Sequence, residues 1–361
     1  MKKKSSFLPI ILIVVFGLLL VLQACSSEDG QEPTINVPDT PSGDEDTPSD
    51  RDEGDSLASN GCQNVVIYNG YAYAACGSEI EVISLESMAR NLLTISADDI
   101  TVDESTGQLF TQSGRTLRSF NLDNPMEPAV VATTQTSFSI FSGISAANGI
   151  VAVSGGSTNS DTQVYTYTAN SITLVNDGIP VVDNITGNPD VHVAATANGG
   201  ATAFYSQDLG NVANWGIQMV AFDANAQVIA TPEVVVLTPG AYRGTFDAPV
   251  GPANFPLESE FLDNRLYVAH FAAPGIHVID LNNSNALSLI SLPYEPINIG
   301  TDGSQLFVIG LNSTVIDVLD PTTGSIVSSI QAPLRQPNGV AVSASHIAIA
   351  DRSEGLLVVN R

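Results

Sequence analysis

Lysine is all but missing from this chain. The only three are Lys2, Lys3 and Lys4, so every later cation among the 12 Lys and Arg is an arginine. Against 38 Asp and Glu this leaves a net charge of −26. A surface so poor in cations repels a phosphate backbone, which excludes nucleic-acid binding. It keeps a chain soluble and monomeric, and a monomer is the expectation here. Two readings of the acidity stay open, adaptation to a saline habitat and a merely well-solvated exterior. Histidine is scarce at 4, cysteine at 3 and tryptophan at 1. No Cys-x-x-Cys-His haem site, His-Glu-x-x-His zinc helix, Gly-x-Ser-x-Gly elbow or phosphate loop occurs, nor an Asp box of the sialidase type. Long helical periodicity is missing beyond about residue 60. Only one long apolar run exists, Phe7 to Leu22.

What is present begins with that run. Basic, then apolar, then small residues over 1–24 have the layout of a secretory signal, slightly short for a membrane span of roughly 20 residues. Leu22-Gln23-Ala24-Cys25 resembles the bacterial lipobox, with Gln23 a mild departure from the usual small residue. The resemblance implies lipidation of Cys25, which would become the first residue of the mature chain. It implies an anchor in the bacterial outer membrane, facing the periplasm or the cell surface. An uncleaved transmembrane anchor is the alternative. The acidic residues after Ser26 and Ser27 look like the export signals of surface lipoproteins in Bacteroidetes-type organisms. Residues 25–58 carry eleven carboxylates against Arg51 and almost no large apolar side chain. Such a stretch cannot offset its ordering entropy and reads as a disordered, self-repelling tether.

With Cys25 assigned to lipid, Cys62 and Cys76 remain as an even pair in an oxidising compartment. They flank two apolar runs around Tyr68-Asn69-Gly70. A three-residue loop there sets Ile67 opposite Tyr71 and Cys62 opposite Cys76, so a bridge is expected, with two buried thiols as the alternative.

The body, 59–361, shows short β-branched or alternating runs separated by Asn, Asp, Gly and Pro, which is an all-β pattern. One hairpin-like unit recurs with starts at 70, 107, 149, 201, 264, 304 and 345. Spacings of this order suit four-stranded propeller blades of roughly 40–50 residues. Seven units predict a β-propeller of seven four-stranded blades. The last copy has only three strands, so closure either borrows an outer strand from the residues before Cys62 or leaves that blade short. The stretches "NRLYVAHFAAPGIHVIDL", "PINIGTDGSQLFVIGLNSTVIDVLDPTTGSIVSSI" and "QPNGVAVSASHIAIADRSEGLLVVN" resemble the YVTN and LVIVD families of bacterial propeller repeats. The resemblance is good over 255–361, fair over 60–135 and weak between. It implies the fold and says little about function.

Two long insertions stand out. One, Tyr205 to Gly216, holds Trp215; the other, Leu237 to Glu260, holds Tyr242, Arg243 and Phe246. Long loops with aromatics and Arg have the composition of recognition surfaces. His270 falls in a neighbouring loop, and these five residues form the candidate partner-binding set; plain capping loops are the alternative. The expected function is a non-catalytic module binding a protein or glycan, with no cofactor required. The competing reading is a propeller hydrolase resembling lactonases, with a divalent metal held by Asp190, Glu258, Glu260 and Asn298. Calcium is a further candidate in the oxygen-rich run Asp183, Asn184, Asn188 and Asp190, although its spacing is not that of an EF-hand. His277 and His346 sit in alternating strand patterns and read as packing or surface residues.

Overall fold

The first hairpin shows how local chemistry starts the fold. Asn69 (φ 48°) and Gly70 (φ 80°) are both left-handed, as a two-residue hairpin turn requires and as the Asn-Gly pair best allows. The turn joins β1 (Asn64–Tyr68) to β2 (Tyr71–Ala75), with Tyr68 opposite Tyr71. This is one residue tighter than the three-residue loop expected from sequence. The ladder shifts accordingly, and Ile67 faces Ala72. The Cys62–Cys76 disulfide forms nonetheless, across a Cα–Cα distance of 3.9 Å. It can do so because Cys62 has left the ladder and donates its N–H to the Asp351 carbonyl instead.

This is a computed structural model, and it describes residues 61–138, 140–156, 161–180, 191–208, 215–230, 233–237, 258–269, 274–311 and 313–361. The chain separates into two units, Met1–Asp52 and Glu53–Arg361. The signal region 1–24, the tether 25–58 and Cys25 lie outside the described residues.

β3 (Ile80–Ser84) and β4 (Arg90–Leu93) complete blade 1 in the order 1-2-3-4. Blade 2 comprises β5 (Asp99–Asp103), β6 (Gln108–Ser113), β7 (Thr116–Asn121) and β8 (Ala129–Gln135). Blade 3 comprises β9 (Ile140–Ala147), β10 (Ile150–Gly156), β11 (Asp161–Thr168) and β12 (Ser171–Pro180). Blade 4 is β13 (Val191–Ala195), β14 (Ala201–Asp208), β15 (Trp215–Phe222) and β16 (Glu233–Val236). Blade 5 is β17 (Glu258–Leu262), β18 (Arg265–Ala269), β19 (Gly275–Asp280) and β20 (Ala286–Ser291). Blade 6 is β21 (Pro296–Thr301), β22 (Leu306–Gly310), β23 (Val315–Leu319) and β24 (Ile326–Gln331). Blade 7 has three strands among the described residues, β25 (Pro337–Val342), β26 (His346–Asp351) and β27 (Gly355–Asn360).

All ladders are antiparallel, and the first strand of each blade lies beside the first strand of the next, with β25 beside β1. The seven meanders therefore close into a seven-bladed β-propeller whose first strands line a central channel. Burial follows position within the blade. β2 is buried along nearly its whole length, whereas β8 and β24 on the rim are mostly exposed.

Seven apolar clusters hold the ring, one at each junction between neighbouring blades. The aromatic in mid-second-strand drives this packing. Tyr73, Phe110, Phe204, Tyr267 and Phe307 each join the cluster shared with the following blade. Burying a side chain of this size is worth about 1.5–3 kcal/mol. Blades 3 and 7 use Ala152 and Ala348 at this position, the latter turned to the junction with blade 1. At that junction Cys62, Cys76, Val65 and Ile83 pack against Ala350 and Leu356. The disulfide thus sits inside the closure itself.

Candidate functional site at the channel and its loop-rich end

Antiparallel blades sort their connections onto two ends of the ring. Turns joining first to second and third to fourth strands share one end. Connections from second to third strands, and from one blade to the next, share the other. At the first end the first-to-second-strand links include tight turns, as at Asn69-Gly70, Asn148-Gly149 and Asp263-Asn264, while the third-to-fourth links 122–128 and 223–232 are longer. At the second end they lengthen over blades 3 to 5. There 157–160 joins β10 to β11 and 181–190 joins β12 to β13. Residues 209–214 join β14 to β15, 237–257 join β16 to β17, and 270–274 join β18 to β19. By connectivity, Asp190, Tyr242, Arg243, Phe246 and His270 belong to these links; all five lie outside the described residues, as do Asp183, Asn184 and Asn188. Trp215 is placed differently from the sequence expectation. It opens β15, opposite Asp208, rather than occupying a loop. The first insertion is in part a longer hairpin, whose strands each run 8 residues.

The channel strands open near this same end, and their opening residues share one ladder position. Asn64, Asp99, Glu258 and Asn298 lie opposite Ala75, Gln112, Ala269 and Ile309. Each of those partners stands two residues after the mid-strand aromatic. Gly143 and Gly339 take the position in blades 3 and 7, opposite Ser154 and Ala350. In blade 4 the register continued by one residue beyond Val191–Tyr205 reaches Asp190 in the sequence.

In three blades the polar group ties its strand to the next. Asn64 Nδ2 donates to Asp99 Oδ1 at 2.7 Å. Asp99 also accepts from the Ile100 N–H at 2.7 Å and, across the junction, the Ile144 N–H at 3.1 Å. Desolvation still raises its carboxyl to about 6. Asn298 Nδ2 donates to the Pro337 carbonyl at 3.4 Å, while its buried Oδ1 has no hydrogen-bond partner. Other links continue the girdle. Ser145 Oγ accepts the Val193 N–H at 2.9 Å, and Asn338 Nδ2 donates to the Gln63 carbonyl at 2.6 Å.

His192 and Glu260 give the channel its unusual electrostatics. Burial lowers His192 to about 4, opposed by a hydrogen bond to the Ser259 main chain. Burial raises Glu260 to about 8, and the charge of Glu104 from blade 2 adds to the rise. Near neutrality both groups are predominantly uncharged. This stretch of lining is therefore a neutral hydrogen-bonding surface within a strongly acidic protein.

Glu258, Glu260 and Asn298 do come to adjacent channel strands, β17 and β21. Among the described residues, however, the one trio of His, Cys, Asp or Glu close enough to share an ion is Cys62, Cys76 and Glu81. The two cysteines there are joined as a disulfide and offer no thiolate. Glu81 is instead bonded to Arg90 at 2.8 Å and accepts the Leu356 N–H at 3.2 Å. His277 is buried in β19, and His346 Nδ1 lies 2.8 Å from Ser345 Oγ; both behave as packing and surface residues. His192, Asp99 and Glu104 went unrecognised in the sequence. The register of the channel strands would have found the first two; nothing local marks Glu104.

No family model matches the sequence, and no curated relative matches it. Solved structures share the fold at low identity. Hydrazine synthase of Kuenenia stuttgartiensis aligns with TM-score 0.59 and 11% identity over 86% of this chain and 98% of that one. The propeller domain of Cps50 (Swd1) from Myceliophteria thermophila aligns with TM-score 0.57 and 10% identity over 84% and 98%. PorZ, a surface component of the type-IX secretion system of Porphyromonas gingivalis, aligns with TM-score 0.52 and 13% identity over 83% of this chain and 37% of its own. These likenesses establish the seven-bladed propeller class.

Proposed function

We propose that this protein is a lipid-anchored module of the bacterial outer membrane that binds a protein or glycan without catalysis. Cys25 carries the lipid, residues 25–58 form the tether, and the propeller engages its partner at the loop-rich end over blades 3 to 5. The supporting observation is that the longest connection, 237–257, and the link 181–190 leave the ring at this same end, over blades 3 to 5. Trp215, Tyr242, Arg243, Phe246 and His270 all belong to that stretch of the sequence or border it. A neutral channel lining at His192 and Glu260 suits uncharged hydroxyls or amides better than a divalent cation, which favours an ionised carboxylate. Propellers resembling the YVTN and LVIVD repeats fit the same reading.

Capture of protein and glycan partners by whole cells tests this. The double variant Trp215→Ala/Arg243→Ala is expected to lose at least about tenfold in capture, since aromatic and Arg anchors dominate such surfaces. Unchanged capture, with the variant still folded and displayed, would place recognition elsewhere. A metal-dependent hydrolase is the competing reading, favoured by the shared register of Glu258 and Asn298 and the sequence position of Asp190. Titration calorimetry with Ca²⁺ and Zn²⁺ separates the two: stoichiometric, tight uptake lost in Glu258→Gln supports the hydrolase.

A further inference from the structure

One rung of the channel is divided in two by its chemistry. It is the rung on the first strands opposite the mid-second-strand residue of each blade. In blades 2 to 5 it holds Thr101, Ser145, His192 and Glu260, opposite Phe110, Ala152, Phe204 and Tyr267. In blades 6, 7 and 1 it holds Gly300, Ala341 and Val66, opposite Phe307, Ala348 and Tyr73. Polar groups thus fill one continuous arc of the ring, and small or apolar groups fill the rest. Strand alternation gives the direction of these side chains. The preceding residues Val65, Ile100, Ile144 and Val191 pack into the apolar clusters shared with the blade before. The rung faces the other way, toward the channel and the next first strand. Ser145, His192 and Glu260, and Ala341 and Val66 across from them, all keep partial exposure.

The polar arc offers both halves of a hydrogen bond. The bond between His192 and the Ser259 main chain favours the protonated ring, so a ring N–H donates to that carbonyl. The other nitrogen of the neutral imidazole is then an acceptor. Glu260 accepts the Phe261 N–H and, when protonated, has an O–H to donate. Ser145 Oγ accepts the Val193 N–H at 2.9 Å and keeps its own O–H as a donor. Glu104, exposed on blade 2, is close enough for its charge to reach Glu260 on blade 5. An anion entering the channel meets that carboxylate and no cation on the rung. A pyranose ring matches such a seat. Its hydroxyls project round the edge as donors and acceptors, and its C–H groups form apolar faces that small or apolar walls accommodate.

We propose, on the reading of the propeller as a non-catalytic binding module, that the arc of Ser145, His192 and Glu260 seats one uncharged sugar residue in the channel. The partner of the module is then a neutral glycan, whose terminal residue lies against Ala341 and Val66 with its hydroxyls toward blades 3 to 5. These are the same blades over which the connections lengthen, so the rest of the glycan leaves the ring at the loop-rich end.

An array of immobilised neutral and uronic-acid oligosaccharides, probed with the intact chain at pH 7, tests this. Retention on at least one neutral oligosaccharide is expected, with its uronic-acid counterpart held at least about tenfold more weakly. Glu260→Leu and His192→Phe, each checked for a cooperative unfolding transition, should each weaken that retention at least about tenfold. Glu260→Gln keeps an N–H donor and a carbonyl, and it should restore most of what Glu260→Leu loses. No retention on any neutral oligosaccharide would overturn the seat, as would preference for the uronates or unchanged retention in both apolar variants. Capture of a protein and no glycan by whole cells would overturn the seat and leave the binding module standing. Glycan retention lost in Trp215→Ala/Arg243→Ala but unchanged in the channel variants would place recognition on the loops instead.

Discussion

His192 and Glu260 titrate in opposite senses, and at the scale of single residues they give the protein a pH signature. Glu260 rises from 4.5 to about 8 on folding, so the folded state holds a proton that the unfolded chain has released. Its contribution is complete below the unfolded pKa and is lost as pH climbs through about 8. His192 falls from 6.5 to about 4, so its contribution is present above 6.5 and is lost as pH drops through about 4. Their summed contribution is therefore greatest, and nearly flat, between about pH 4.5 and 6.5, where the one falls as the other rises. Denaturant titrations should show stability declining from pH 6.5 to 8.5. Glu260→Gln should reduce that decline by about 1 kcal/mol, half of the full linkage value, allowing for the solvent that reaches a half-buried carboxyl. A decline of equal size in the variant would mean that Glu260 is solvated in the channel. His192→Asn should leave the alkaline arm unchanged and flatten the acid arm.

Elements depend on how their ends are fixed. In blade 1 the turn at Asn69-Gly70 sets the register of β1 and β2, and the Cys62–Cys76 bridge fastens the other end of the hairpin. The bridge closes a loop with a sequence separation of 14, for which chain-entropy reasoning gives about 3 kcal/mol. It is fully buried in the cluster between blades 7 and 1, so its loss also leaves that closure less well packed. The double variant Cys62→Ser/Cys76→Ser should lose about 3 kcal/mol in equilibrium denaturation. Adding reductant to the folded wild-type chain should leave it intact until partial opening exposes the sulfurs. Rapid reduction without unfolding would show that the closure breathes locally. The hairpin also shows what can be read ahead of a structure. Pairing of the two cysteines was legible, but its register was off by one, because only the backbone revealed that Tyr68 belongs to the strand.

Across the whole molecule, charge and ring closure dominate. Eleven of the 38 carboxylates fall before the propeller, yet the body remains strongly acidic. Like-charge repulsion opposes compaction and is screened by salt, with a Debye length of about 30 Å at 0.01 M and 3 Å at 1 M. Thermal unfolding of the chain should shift upward by several degrees between those ionic strengths. A downward or absent shift would indicate that acidic and basic groups are already balanced locally, as at Arg335–Glu354 and Arg361–Asp302. The ring form also sets the side on which the second-to-third-strand and blade-to-blade connections leave it. Alternating strand direction sends every second connection to the same side, so insertions far apart in sequence share one rim.

The sequence by itself determined the repeat count, the all-β class, the paired cysteines and the positions of the long insertions. These are properties of local chemistry, namely turn residues, alternation and spacing, and each can be read within some forty residues. Tertiary structure decided the rest. Asp99 is tied to Asn64 and Ile144 because closing the ring sets channel strands side by side. Glu260 feels Glu104, roughly 150 residues away in the chain, for the same reason. Trp215 moved from a loop to the start of a strand because β14 and β15 pair for longer than their counterparts in blade 5. Protonation in the channel follows from that closure, since desolvation depends on neighbours that only the folded ring supplies.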